Sequence, residues 1–534
     1  MEASFQIILI LIAVLAGASL LARRSGVAPA ILLLVTGIAL AFVPGMPALE
    51  LSPELVLLVV LPPLIYSASV AMSWREFRYN LRPIMLLAVG CVIFTAAAVA
   101  AAVHYLIGLS WQVGFLLGAI VAPTDAVAPL AVARKLNIPR RVLVVLEGEG
   151  LANDATALIL YRFAVLAIAS GGFSLSKATG EFFGIVAGEI VFGVAIGWLT
   201  LRVRRFTRDP QIEITLSLLT PYIAYWIPEH FGGSGVIATV ACGLYTSWNG
   251  PLLISFATRL QGIFVWDLVI YLIEGLLFLL TGFQMRSLFE KSKAFPLDDI
   301  LIATALVTAI VVAARFVWVY PATYLPRLLN KSLARRDPSP PWQWVFILSF
   351  AGVRGAVSLA AALALPLMLA NGAPFPDRDL ILFVSFGVIL ITLVGMGLSL
   401  SVVVRWLGVA EAGRNEIVAA HQAEIAARRE ALDAALKSLD GLVEKCDLSD
   451  DVVTLLRARH DVRVSQLPAS LDPDSHDVSA TGTELTRELI KAEREFIHCL
   501  LRDGRITDET RRRIERDLDL EEASLANREY RGPL

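Results

Sequence analysis

The sequence predicts an all-α polytopic membrane protein of about thirteen transmembrane helices, followed by a soluble helical tail. Three observations carry this prediction. The chain is 56% hydrophobic and only 18% charged, with a mean hydropathy of +0.68, whereas soluble domains carry about 25% charged residues. Apolar runs long enough to cross a bilayer recur from the N-terminus to about residue 407. Charge then concentrates in 411–534, which holds 19 Lys/Arg and 27 Asp/Glu, a net charge of −8. The boundary divides a membrane domain, 1–410, from a tail, 411–534.

The apolar segments are 4–22, 27–43, 52–71, 83–108, 112–133, 142–169, 181–201, 212–227, 235–249, 262–284, 299–325, 342–369 and 380–407. The distribution of basic residues tests the count, because cytoplasmic loops carry the excess of Lys and Arg. Alternate loops hold Arg23 and Arg24; Arg75, Arg78 and Arg82; Arg134, Lys135, Arg140 and Arg141; Arg202, Arg204, Arg205 and Arg208; Arg259; and Arg327, Lys331, Arg335 and Arg336. The opposite loops hold only Lys177, Arg286, Lys291, Lys293 and Arg378. An odd number of spans with the N-terminus outside and the tail cytoplasmic keeps every basic block on one side. The first segment lacks a basic residue before it, so it reads as a retained span rather than a cleaved signal. Cys91, Cys242, Cys446 and Cys499 form no CxxC pair, which argues against a disulfide or metal framework.

A charge at the centre of a membrane helix costs about 2.5–3.5 kcal/mol on insertion scales. Nine charges fall deep in the spans: Asp125, Glu149, Asp154, Arg162, Glu189, Asp267, Glu274, Arg315 and Arg354. Ion pairs between helices are the structural explanation. For Arg162, Asp267, Glu274 and Arg315 it is the favoured one, and Glu147 reads as a charge near the cytoplasmic entrance. Three stretches ask for more. In AIVAPTDAVAPLAV, Pro123 and Pro129 bracket Thr124 and Asp125. Proline removes a backbone donor and clashes with the preceding turn, so the helix should break there. Freed carbonyls beside a carboxylate suit a cation; a simple kink capped by Asp125 is the alternative. In LEGEGLANDATALILY, Glu149 and Asn153 share a helix face at i,i+4, with Asp154 on the adjacent face. A carboxyl group withdrawn from water holds a proton more readily, and a cation competing for the same oxygens displaces it. A buried hydrogen-bond network without transport is the alternative. In SFAGVRGAVSLAAAL, Gly352 and Gly355 flank Arg354, which marks a second interruption. Glu149 is the expected partner of Arg354; the alternative is that Arg354 satisfies loose helix-end carbonyls.

These stretches resemble a known family. GEGLANDATALILYRFAV is similar to the Asn-Asp helix of the monovalent cation:proton antiporter-1 family, the sodium/proton exchangers. APTDAVAPLAV resembles that family's broken helix and FAGVRGAVSLA its crossing partner. Residues 61–90 and 394–408 resemble its bacterial branch. The resemblance implies two inverted repeats of six helices joined by a linking span, with crossed broken helices, a core that shifts in an elevator-like movement, and a homodimer. It implies that Asp154 exchanges the proton, and that Asp125, Asn153 and the Thr124 carbonyl help to hold Na+, with K+ or Li+ as alternatives. It implies that Glu149 pairs with Arg354. Gly150 stands where the family usually has Ser, and Ala152 where it usually has Leu. Asn153 in place of a second acid implies electroneutral exchange, one cation per proton.

The expected protein is a multi-pass plasma-membrane antiporter that handles monovalent cations and protons for pH and cation homeostasis. It needs no cofactor, and nucleic-acid partners are not expected. No nucleotide motif, catalytic triad or metal-ligand spacing suggests an enzyme. No filter-like run suggests a channel, and no recognisable module in the tail suggests a signalling receptor. In the tail, 411–445, 481–503 and 507–526 read as helices, the last opening at Thr507-Asp508, with a loop around Pro468 and Pro473.

Overall fold

The computed structural model describes residues 2–44, 51–170, 175–207, 209–292, 296–369, 373–445, 450–465, 473–503, 505 and 508–529. Among them the elements are helical, and the only extended pairing is an isolated bridge between Met368 and Pro374. The order is α1 (Glu2–Ser25), α2 (Pro29–Ala41), α3 (Leu55–Ala71), α4 (Leu81–Ile107), α5 (Trp111–Val121), α6 (Val127–Lys135), α7 (Arg140–Ser170) and α8 (Leu175–Thr207). There follow α9 (Pro210–His230), α10 (Val236–Leu253), α11 (Phe256–Ser292), α12 (Leu297–Leu329), α13 (Trp342–Phe350), α14 (Ala356–Leu363) and α15 (Arg378–Trp406). Short helices Trp74–Tyr79 and Lys331–Arg336 lie in two of the connections.

Helices lie over the apolar segments marked by the sequence, and by length and composition α1, α4, α7, α8, α11, α12 and α15 can each cross a membrane. Caps stand where the residue types suggest. Ser110 accepts from the Val113 N–H at the start of α5, and Asp209 accepts from the Gln211 and Ile212 N–H groups at the start of α9. Two segments expected as spans are each split in two. The break at 122–126 contains Pro123, which has no N–H to donate to the carbonyl four residues earlier and crowds that carbonyl with its ring. The break at 351–355 contains Gly352 and Gly355. The segment expected to run to 369 leaves the helix at Leu363, shortly before Pro366.

Small residues let the helices approach closely, as in other membrane bundles. A side chain on Gly37 of α2 would overlap the Leu279 carbonyl of α11, and one on Gly282 would overlap the Leu34 carbonyl of α2. Gly114 and Gly118 of α5 lie in the same way on Ala100 and Ala96 of α4. A large buried cluster includes Leu116 and Ile120 of α5, Leu151, Ala155 and Leu158 of α7, Leu359 of α14 and Ile381 of α15. It packs side chains densely on the helices that flank the two breaks.

The chain divides into two compact units, Met1–Glu411 and Ala412–Leu534. In the second unit, helices Pro473–Arg502 and Asp508–Glu529 pack through Ile490, Ile497, Ile514 and Leu518, with Arg494 bridging to Asp519 and Glu522. Pro473 begins a helix rather than lying in a loop, and a further helix, Asp450–Ser465, was not expected from the sequence. Its Val452, Leu455 and Leu456 recur at helical spacing, but strongly polar neighbours hide the pattern. Cys446, Pro468 and Thr507 lie outside the described residues.

A Gly37→Val substitution should force α2 and α11 apart. The expected loss is about 1–3 kcal/mol, typical of overpacking. It would be seen as a lower thermal midpoint of the detergent-purified protein.

Candidate functional site

The two helix breaks meet. The Asp125 N–H donates to the Val353 carbonyl at 2.7 Å, joining one unwound segment to the other. The Asp125 side chain accepts from the Val127 N–H at 2.8 Å and so caps α6. Any side chain on Gly355 would collide with the Asp125 carboxylate, so this crossing needs glycine at 355. A widened, π-helical stretch of α15, Ile391–Met396, brings Thr392 to the second break, where its hydroxyl accepts from the Arg354 N–H at 3.1 Å.

Helix α7 fastens the first break. Asn153 Nδ2 donates to the Thr124 carbonyl at 2.8 Å and to the Thr124 hydroxyl at 3.0 Å. That hydroxyl donates to Glu149 Oε1 at 3.0 Å. Glu149 and Asn153 thus act on one neighbour, as their shared face suggests. Asn153 is fully buried, and its Oδ1 has no hydrogen-bond donor among the described residues. The Thr124 carbonyl, expected as an ion ligand, is engaged by Asn153.

The expected Glu149–Arg354 pair is not formed. Glu149 is held by Arg315 of α12: Nη1 bonds Oε1, and Nη2 bonds Oε2 at 2.8 Å. Arg315 also donates to the Leu348 carbonyl, through Nε at 3.1 Å and Nη2 at 2.9 Å. Both side chains are about 2% exposed, so the pair is deeply buried. Arg354 instead donates through Nε to the Val121 carbonyl at 3.0 Å and through Nη1 to the Gly352 carbonyl. It serves the carbonyl end of α5, where the helix dipole concentrates negative charge. A second arginine reached Glu149 first, and the first found acceptors in the break that its own neighbours create.

A cavity of about 480 Å³ reaches from exposed Arg134 and Arg140, past Glu147, to Asp125, Gly150 and Asp154. On its other side Asp154 borders a space of about 10 Å³ between Ile120, Tyr161 and Ser358. That is about the minimum for a single water. Asp154 thus borders a roomy cavity on one side and a far smaller space on the other. Thr124 lines the cavity, whereas Asn153 is not among its walls. The cavity also exposes Glu274 of α11, which sequence reasoning set aside as structural. Asp125 is near enough to feel the charges of both Asp154 and Glu274. The one available signal for Glu274 was an unpaired acid in a long apolar helix.

Three further charges singled out in the sequence, Arg162, Glu189 and Glu147, have structural partners. Arg162 bonds Glu229 and the Gly232 and Gly233 carbonyls. Glu189 accepts from Ser234 and Gly235 at the start of α10. Glu147 pairs with Arg134 at 2.7 Å beside the cavity. Asp267 is exposed on α11. Among the described residues, no three His, Cys, Asp or Glu side chains come together as a metal cage.

Removing one partner of a buried ion pair costs about 3–5 kcal/mol. Arg315→Met, which strands Glu149, should therefore lower thermal stability more than Arg354→Met. Restoring neutrality in Glu149→Gln/Arg315→Met should recover part of the loss. Equal losses in the two single variants would contradict the pairing.

Residues 10–406 match the family model described as sodium/hydrogen exchanger, transmembrane. An uncharacterised Na+/H+ exchanger of Mycobacterium tuberculosis is 34% identical over 97% of this chain and 96% of its own length. A sodium, potassium, lithium and rubidium/H+ antiporter of Bacillus subtilis is 29% identical over 95% of this chain and 76% of its own. In fold, the chain is similar to the sodium proton antiporter MjNhaP1 of Methanocaldococcus jannaschii, with a TM-score of 0.60 and 18% identity over 76% of this chain and 99% of that one. The multi-pass chain with paired helix breaks belongs to the sodium/hydrogen exchanger family.

Proposed function

We propose that the protein is a secondary antiporter exchanging Na+ for H+ across the plasma membrane, with K+ and Li+ as further candidate substrates. The observation that carries this reading is Asp154, a carboxyl group between a large cavity and a much smaller space, beside Asp125 at the meeting of two unwound helices. The B. subtilis relative, described as acting on several alkali cations, supports the wider substrate list.

In this reading Asp154 binds either a proton or the cation. The cation displaces the proton because both are held by the same carboxylate oxygens. Asp125 supplies a second negative charge. Thr124 faces the cavity, and its hydroxyl stays oriented by Asn153 and Glu149. Asn153 positions the broken segment rather than touching the ion. Glu274 raises the local cation concentration on the approach to the site. The cavity side is assigned to the cytoplasm, since its entrance carries Arg134 and Arg140 from the basic loops. The opposite state would open the space beside Tyr161 as the core shifts within a homodimer, between two inverted repeats. The unit 412–534 is assigned to the cytoplasm as a regulatory or dimer-stabilising tail.

Exchange of one positive charge for another at Asp154 leaves the total charge of the loaded site unchanged. Exchange is therefore electroneutral, and a membrane potential imposed on proteoliposomes should not change its rate.

In everted vesicles, Na+ should dissipate the proton gradient with wild type, and Asp154→Asn should fall to the vector background. Asp125→Asn should lose at least about tenfold in rate, the effect of about 1.4 kcal/mol. Glu274→Gln should raise the half-saturating Na+ concentration several-fold with little change in maximal rate. If wild type responds to no alkali cation across a pH series, the antiporter reading fails. If Asp154→Asn still exchanges, the role given to Asp154 fails.

A further inference from the structure

Away from the ion site, three arginines converge on one carboxylate. Asp337, in the connection between α12 and α13, accepts from Arg82 Nη2 at 2.8 Å, Arg141 Nη2 at 2.7 Å and Arg327 Nη2 at 2.7 Å. Its backbone carbonyl accepts from Arg327 Nε at 3.0 Å. Three positive charges thus meet one negative charge and leave a local excess of two. Arg327 is only 5% exposed, so free counter-ions in solution have little access to it. Arg82 Nη1 is buried and has no acceptor among the described residues. A buried guanidinium nitrogen without a partner is costly, so this site has room for one more acceptor, and the local excess of positive charge favours an anionic one.

The same three arginines line a cavity of about 50 Å³. That is several times the 10–15 Å³ or so needed by one water. Apart from Thr323, its other walls are apolar side chains, including Leu86, Leu87, Val145, Val319, Trp344 and Leu348. A cationic end joined to an apolar wall matches an amphiphile with an anionic head. Aromatic residues typical of the membrane–water boundary stand at this end of the bundle. Trp342 is half exposed, and the Tyr324 hydroxyl donates to the Pro340 carbonyl.

We propose that this pocket binds the phosphate of an anionic phospholipid. Its non-bridging oxygens would accept from Arg82 Nη1 and share the guanidinium forks with Asp337, a geometry arginine favours for phosphate. The start of an acyl chain would lie on the Leu86, Val319 and Trp344 wall. The bound group joins the ends of α4, α7 and α12 to the connection before α13. Helix α7 carries Asp154 and Glu149 and α12 carries Arg315, so the lipid steadies the frame that holds the ion site.

The test uses the full-length protein purified in detergent. Its thermal midpoint is measured with added phosphatidylglycerol, phosphatidylcholine or inorganic phosphate. Phosphatidylglycerol should raise the wild-type midpoint by several degrees and phosphatidylcholine should not. Arg82→Gln should lose that increment. An Arg335→Gln/Arg336→Gln variant, altered at exposed basic positions outside the pocket, should keep it. Thr323→Glu, which puts a carboxylate in the pocket wall, should show a raised midpoint without lipid and no further gain with it. This variant gives the reading if Arg82→Gln does not fold. An equal rise with inorganic phosphate alone, lost in Arg82→Gln, would uphold the phosphate site but overturn the lipid as its source. No rise in wild type, or an undiminished rise in Arg82→Gln or Thr323→Glu, would overturn the proposal.

Discussion

A backbone that leaves the helix inside a membrane must find new partners for every N–H and C=O it frees, because lipid offers none. This constraint organises the membrane unit. At the first break the Asp125 N–H goes to the Val353 carbonyl, and the Asp125 carboxylate takes the Val127 N–H. At the second, Arg354 takes the carbonyls of Val121 and Gly352, and Thr392 takes the Arg354 N–H. Each break is thus satisfied partly by the other and partly by Asn153 of α7 and Thr392 of α15. Together they place polar backbone and a carboxylate where uninterrupted helices would present only side chains.

The charges follow from the same constraint. Glu149 reaches the first break through the Thr124 hydroxyl, and a buried carboxylate there requires a cation. Arg315 supplies it from α12 and also binds the Leu348 carbonyl near the second break. One ion pair therefore ties α7, α12 and α13 to the crossing. Asp125 and Asp154 lie on the open side of this braced region, facing the cavity, with no arginine paired to either among the described residues. A carboxylate neutralised by a fixed arginine has little use for a mobile cation. The division between paired and unpaired acids separates framework from proposed exchange site.

The basic loops show the complementary pattern. Positive charge there exceeds what nearby carboxylates can neutralise, most clearly where Arg82, Arg141 and Arg327 share Asp337. Within the bundle every unmatched arginine is a liability, so arginines find acids or helix-end carbonyls. At the boundary an unmatched arginine can be completed by the headgroups around it. The protein thus keeps its spare acids inside, facing the cavity, and its spare bases at the membrane surface.

Composition and periodicity alone determined the membrane class, the approximate positions of the apolar helices and the change in character near residue 410. Proline and glycine chemistry alone located both interruptions, because backbone restriction acts on adjacent residues. The sequence also singled out Asp125 and Asp154, since an acid in an apolar helix is costly wherever the helix sits. Only the tertiary structure decided that Glu149 belongs to Arg315 rather than Arg354, that Asn153 turns from the cavity to Thr124, and that Glu274 faces the cavity. These outcomes depend on the rotation and depth of each helix against its neighbours. A shift of one residue turns a helical side chain by about 100°, and span boundaries read from hydropathy are less certain than that. The existence of each charge was therefore local information, while its partner was a property of the packed bundle.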